Sequence, residues 1–256
     1  MTGLLSDPWF YAAAIPAVAL IGFSKGGFGG AMAVMGVPLM ALVMPPVQAA
    51  AILLPILVLM DLAALWAWRG NRRDWTTLRN LLPGALVGIG IGWLTALVVT
   101  EAAVKLIVGV VALGFVLRWL WQKVAGQDAP HPHNLAAGAF WGTVSGFTSF
   151  VAHSGGPPYQ VYALPLRQDP KLYTATSVLF FAIMNAVKLI PYFALGELDT
   201  GNLTAAASLV PVAIVATFAG AAIVKRMRAE IFYPITYTLV FVLSLKLIWD
   251  GAVGIL

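Results

Sequence analysis

The sequence predicts an all-α polytopic membrane protein made of two inverted-topology repeats. Each repeat would hold a broken or re-entrant helical hairpin plus three transmembrane helices. Three observations carry this. Of 256 residues, 61% are hydrophobic and only 10% charged, where a soluble domain has about 25% charged. Apolar runs recur along the whole length, many near the ~20 residues that cross a ~30 Å hydrocarbon core. The chain is also written twice. Gly22-Phe23-Ser24 returns as Gly146-Phe147-Thr148, and Pro46 as Pro170, at an offset of 124. Leu81-Leu82-Pro83 returns as Leu209-Val210-Pro211, Gly92 as Gly220, Arg118 as Lys246 and Trp121 as Trp249, at an offset of 128. In so apolar a chain, duplication points to a two-fold-built transporter with its site between the halves.

The first half, residues 1–122, offers apolar segments at about 9–23, 31–44, 47–68, 78–99 and 102–121. A polar linker follows at 123–134 and contains Asp128-Ala129-Pro130-His131-Pro132-His133. The second half, 135–256, offers segments at about 134–148, 156–166, 172–194, 203–224 and 232–250. The first two segments of each half are short. Fifteen helical residues span roughly 22 Å, so these segments read as the arms of a hairpin that dips in and returns.

Charge sets the orientation. The loop at 69–79 carries Arg69, Arg72, Arg73 and Arg79 against Asp74, so it reads as cytoplasmic. Its repeat partner at 195–202 carries Glu197 and Asp199 and no base. Conversely, the loop at 225–230 has Lys225, Arg226 and Arg228, while its partner near Thr100-Glu101 has no base before Lys105. Equivalent loops thus fall on opposite sides, and the repeats read as inverted, with the linker inside and both termini periplasmic. The net charge of +5 reports topology and does not call for nucleic acid. Asp7, with no base before the first apolar run, argues against a cleaved signal peptide. Lys105, Arg118 and Lys246 lie near segment ends and are expected to snorkel. Trp66, Trp68, Trp75, Trp119 and Trp121 are expected as interfacial anchors.

The hairpin tips are the least lipid-compatible stretches. The first, Gly22 to Gly30, has five glycines in nine residues, each costing a helix about 1 kcal/mol against alanine. Non-helical backbone at membrane depth survives only where it is buried or lines a cavity. A helix restart there would offer N–H groups to an anion. Ser24 adds a hydroxyl and Lys25 a full charge, so Ser24, Lys25, Gly26, Gly27, Gly29 and Gly30 read as an oxyanion cradle. Glycines in membrane helices also mark close helix packing. The second tip offers Thr148, Ser149, His153, Ser154, Gly155 and Gly156 before Pro157. Its hydroxyls would face the anion or bond backbone carbonyls. His153 would donate to the anion, carry a proton, or be structural. Inverted repeats would bring the two tips to one pocket.

Three more polar residues interrupt apolar runs. Asp61 and Asn185 share one repeat position, and Lys188 stands one turn beyond Asn185. Buried ionisable groups cost roughly 2.5–3.5 kcal/mol even on lenient scales. Asp61 is therefore expected to pair with Lys25 or Lys188, or to carry a coupling proton, and Asp61, Asn185 and Lys188 are the coupling or gating candidates. The absence of cysteine removes disulfides and thiolate metal sites. His131 and His133 lack further ligands, so no metal site or cofactor is read. Gly22-Phe23-Ser24-Lys25-Gly26 matches the nucleophile-elbow pattern but lacks its strand–turn–helix setting.

Gly26-Gly27-Phe28-Gly29-Gly30 followed by Pro38, together with Ser154-Gly155-Gly156-Pro157 and the duplicated unit, resembles the sulfite exporter TauE/SafE family from about Phe10 to Trp249. The resemblance implies transport, usually export, of sulfur oxyanions and organosulfonates across the bacterial inner membrane. The expected partners are then a small anion, the lipid bilayer and a coupling proton or sodium ion. Monomer and homodimer are both left open. A passive anion channel and an intramembrane serine hydrolase using Ser24 are the alternatives.

Overall fold

The computed structural model describes residues 7–30, 32, 35–95, 98–126, 129–194 and 200–255. Among these, all regular structure is helical. The first half supplies α1 (Pro8–Gly27), α2 (Gly36–Met40), α3 (Pro46–Ala67), α4 (Trp75–Thr95) and α5 (Glu101–Val124). The second supplies α6 (Leu135–Ala152), α7 (Gly156–Ala163), a 3-10 turn (Leu164–Leu166), α8 (Pro170–Ala194), α9 (Thr200–Arg226) and α10 (Ala229–Ile255). Helices α1, α5, α6, α9 and α10, and α8 over Pro170–Ile190, are long and apolar enough to cross a membrane. The chain is a multi-pass membrane protein.

The helix starts follow local chemistry. Asp7 accepts the Trp9 N–H at 2.9 Å, and Pro8 takes the first helical position, where no N–H is needed. Asn134 caps α6 by accepting the Ala137 N–H at 2.9 Å. Asp74 caps α4 by accepting from the Thr76 and Thr77 N–H groups at 2.9 and 3.3 Å. The same carboxylate accepts from the Gln168 amide and lies 3.2 Å from His133 Nε2. One side chain thus ties the start of α4 to the linker and to the turn before α8.

The hairpins differ from the sequence expectation. Their first arms are not short. α1 has 20 residues and α6 has 18, so each reaches roughly 27–30 Å. The glycines at 22, 26 and 27 do not break α1. They sit where α1 meets another helix, and the gain in close contact offsets their low propensity. The break comes later, at Phe28 in the first half and His153 in the second. The second arms are the short ones: five residues in α2, and eight plus the 3-10 turn in α7. The acidic pair Glu197 and Asp199 lies outside the described residues.

The chain divides into two compact units, Met1–Asn71 with Ser177–Arg226 and Arg72–Thr176 with Met227–Leu256. Each draws on both sides of the linker, so the packing units are not the sequence halves.

In the first unit α1 packs on α9, and α9 on α3. Phe10, Ala14, Ile21, Leu209 and Ala213 are fully buried there. A Cβ on Gly26 would run into the Thr217 carbonyl, and one on Gly22 would lie 2.9 Å from the Ala213 carbonyl. Contacts advance together along both chains, so α1 and α9 run parallel.

In the second unit α4 packs on α6, also in parallel: Gly84 faces Ala139 and Thr143, Gly88 faces Thr143 and Phe147, and Gly92 faces Phe150. Gly146 meets the Ala85 carbonyl as Gly22 meets Ala213, and the two pairs are related by the repeat offsets. Here too α5 packs on α10. Gly109 faces Ser244 and Ile248, and Gly251 faces Ala102 and Leu106. One numbering rises as the other falls, so α5 and α10 are antiparallel.

Several end-of-segment residues do something more specific than snorkel or anchor. Lys105 pairs with Glu101 at 2.6 Å, and Lys246 with Asp250, each one helical turn away. Trp66, Trp75 and Trp121 are exposed, as interfacial residues are, but Trp68 is fully buried. Trp119 stacks on Tyr237 with ring centroids 3.9 Å apart.

Candidate functional site

The first unit buries a cluster of polar side chains from three helices. α1 delivers Ser24 and Lys25 in its last turn, α3 delivers Asp61, and α8 delivers Asn185 and Lys188. All five are buried. Lys25 Nζ pairs with the Asp61 carboxylate and donates to the Leu57 carbonyl at 3.3 Å. Leu57 and Asp61 are one turn apart on α3, so one ammonium bridges a carbonyl and a carboxylate on the same face. The other Asp61 oxygen accepts from the Asn185 amide. Lys188, one turn beyond Asn185, lies within electrostatic reach of both Lys25 and Asp61. The cluster therefore gathers two lysine side chains and one aspartate side chain away from water. Desolvating charges costs several kcal/mol each, which a single pair only partly offsets. Ionisable side chains buried inside a membrane protein are the kind of feature that marks a ligand site.

The end of α1 supports the cluster. The Phe28 and Gly30 N–H groups both donate to the Ser24 carbonyl, at 2.7 and 3.2 Å. The Met32 N–H donates to Ser24 Oγ at 3.0 Å. Gly29 and Gly30 turn the chain with φ of 67° and 69°, a region open to glycine. Trp68 Nε1–H donates to the Gly26 carbonyl at 2.8 Å, satisfying a carbonyl that a helix end leaves without a partner.

This geometry bears on the expected cradle of backbone amides in two respects. The turn spends the Phe28, Gly30 and Met32 N–H groups on Ser24, and the helix end presented here is a C-terminus. A C-terminus carries partial negative charge and favours Lys25 rather than an anion. Positive charge at this place comes from lysine side chains. Gly26 and Gly27 serve packing against α9, and Gly29 and Gly30 serve the turn.

The second unit's tip is built differently. Thr148 Oγ1 has the Val144 and Ser154 carbonyls within 2.8 and 3.2 Å. Ser145 Oγ donates to the Gly155 carbonyl at 2.7 Å, and Ser154 Oγ to Ala152 at 2.8 Å. The Thr148 and Ser154 hydroxyl protons are thus used on backbone carbonyls, the structural alternative of the two raised for them. Ser149 is buried. His153 ends α6 in the left-handed region at φ 49°, a conformation costing a non-glycine residue roughly 1–2 kcal/mol. Gly155 and Gly156 lead into α7, and a Cβ on Gly155 would lie 2.7 Å from that of Ser149.

Of the residues singled out in the sequence, the fold brings together Ser24, Lys25, Asp61, Asn185 and Lys188 within one unit. Trp68 and the Leu57 carbonyl were missed. Nothing in the sequence separates Trp68 from Trp66 two residues earlier, and a backbone carbonyl leaves no trace in residue type.

A family profile described as "Sulfite exporter TauE/SafE" matches residues 14–247. A relative described as "Probable sulfite/organosulfonate exporter TauE", from Cupriavidus necator, is 27% identical over 198 residues, covering 76% of this chain and 75% of that protein. No solved structure matches the chain.

Proposed function

Because the chain belongs to the sulfite exporter TauE/SafE family, we propose that it is a secondary transporter exporting a small sulfur oxyanion, sulfite or an organosulfonate, across the bacterial inner membrane. One observation carries the site: two lysines, Lys25 and Lys188, are buried in one cluster with Asp61, which pairs with Lys25. A monoanionic sulfonate would lie beside the two lysines. A dianion such as sulfite would be better held once Asp61 takes up a proton and releases Lys25 to the substrate. Binding of the more highly charged form is then linked to a proton, which is the coupling ion in this reading. Lys188 is the first contact, Lys25 the second, and the Asn185 amide holds Asp61 in register between them. Ser24 keeps the turn after α1 closed, and the strained His153 marks the corresponding turn in the other unit.

Two features support an inverted arrangement of the repeats. A two-fold axis in the membrane plane makes equivalent helices antiparallel, and α5 and α10 run that way. Such an axis also brings equivalent residues together where they lie close to it, and Asp61 hydrogen-bonds Asn185. The arginines at 69, 72, 73 and 79 support a cytoplasmic side for the α3–α4 loop.

The experiment is flux in sealed proteoliposomes loaded with sulfite or sulfoacetate under an imposed pH gradient. Accumulation against the concentration gradient, abolished in Lys188→Met, is expected. Flux that only runs downhill, whatever the proton gradient, means a channel instead.

A further inference from the structure

A second basic site lies in the other unit. A pocket of about 430 Å³ is lined on one side by Val111, Gly114, Arg118 and Gln122 of α5. Spaced three and four residues apart, these fall along one stripe of the helix. Arg167 lines the same pocket. Its guanidinium lies 4.9 Å and 5.9 Å from the ring centres of Tyr233 and Tyr237. Tyr237 stacks in turn on Trp119, which carries the Lys123 ammonium 5.2 Å above its ring. The aromatic pile thus fixes cations at one end of the pocket, near the end of α5. No described carboxylate pairs with Arg118.

The other end of the stripe is apolar and open. Val111 is 40% exposed on a membrane-spanning helix, and a Cβ on Gly114 would meet nothing within 4 Å. Guanidinium groups match phosphate geometry, and an apolar channel leading away from them suits an acyl chain. A soluble anion would use the first feature and not the second. We propose that this pocket binds an anionic phospholipid, its phosphate between Arg118 and Arg167 and its acyl chain along Val111 and Gly114. Basic pockets between helices are a general means of holding such headgroups.

The test is native mass spectrometry of the purified full chain titrated with dioleoyl phosphatidylglycerol, dioleoyl phosphatidylcholine and soluble glycerol phosphate. Phosphatidylglycerol should bind in preference to phosphatidylcholine. Arg118→Gln should weaken it by about fivefold, the loss of one cation near a phosphate. Gly114→Trp, at a position with room for a side chain, should displace the lipid while the melting temperature of the same sample holds. Equal binding of both lipids, or binding unmoved by either variant, would overturn the proposal. Glycerol phosphate binding as tightly as the lipid would overturn it too, and would give the pocket to a soluble anion.

Discussion

The ends of α1 and α6 occupy the same place in the duplicated sequence and have been put to different uses. Ser24 corresponds to Thr148, Lys25 to Ser149, and Gly29 to His153, all at the offset of 124. Both ends stop one residue before or at a left-handed residue: Gly29 at φ 67° in one unit, His153 at φ 49° in the other. Both helices press glycine against a parallel partner. The scaffold is repeated while the charge is not. In the first unit the turn frees a lysine to meet a carboxylate. In the second, hydroxyls close onto their own backbone. Asp61 likewise corresponds to Asn185, and Ala64 to Lys188, at the same offset. Duplication therefore supplied two frames, and the ionisable groups, Lys25 and Asp61 from the first and Lys188 from the second, gather in one packing unit.

That contrast can be broken most severely at Asp61. Asp61→Ala removes the carboxylate that pairs with the buried Lys25, and chemical denaturation in detergent should show a loss of about 3–5 kcal/mol. Replacing both partners, Lys25→Met with Asp61→Leu, should restore most of that stability while transport stays absent. Stability lost equally in the double variant would show that the pair is not what the fold depends on.

Next comes Gly26→Ala. Its Cβ enters the Thr217 carbonyl, so α1 must move off α9 at a cost of roughly 1–3 kcal/mol. The control is Gly90→Ala, where a Cβ meets nothing within 4 Å and a helix gains up to about 1 kcal/mol. Thermal melting of the two variants should move in opposite directions.

Trp68→Phe keeps most of the packing and strands the Gly26 carbonyl. A loss of about 1–2 kcal/mol is expected, with weakened transport because the last turn of α1 positions Lys25. Smallest is His153→Gly. Relief of a left-handed non-glycine residue should stabilise the second unit by roughly 1 kcal/mol. If transport falls while stability rises, the side chain of His153 works in the cycle, and if transport is unchanged, it does not.

The sequence disclosed the class of fold almost completely, because a chain with so little charge has few ways to satisfy its backbone in lipid. It singled out the buried Lys25, Asp61 and Lys188 for the same reason: ionisable residues inside apolar runs are costly, and cost draws attention. It also left the Lys25–Asp61 pair among a short set of choices. It did not disclose where α1 ends. Glycine propensity argued for a break near Gly22, but contact with α9 overrides propensity through Gly27, and that contact depends on a helix nearly two hundred residues away in the chain. The split of roles among the glycines was hidden likewise, since packing and turning both call for a missing side chain. Trp68 was indistinguishable from its interfacial neighbours until the Gly26 carbonyl stood beside it.

The most direct measurement is anion-dependent stabilisation of the purified protein, followed as a melting shift against sulfite and sulfoacetate, in the native chain and in Lys188→Met and Lys25→Met with Asp61→Leu. A ligand that binds the folded state raises its apparent stability by mass action. A shift in the native chain that vanishes in both variants, each still folded, is the predicted result. A shift of equal size in all three would place the anion elsewhere and contradict the role given to the buried lysines.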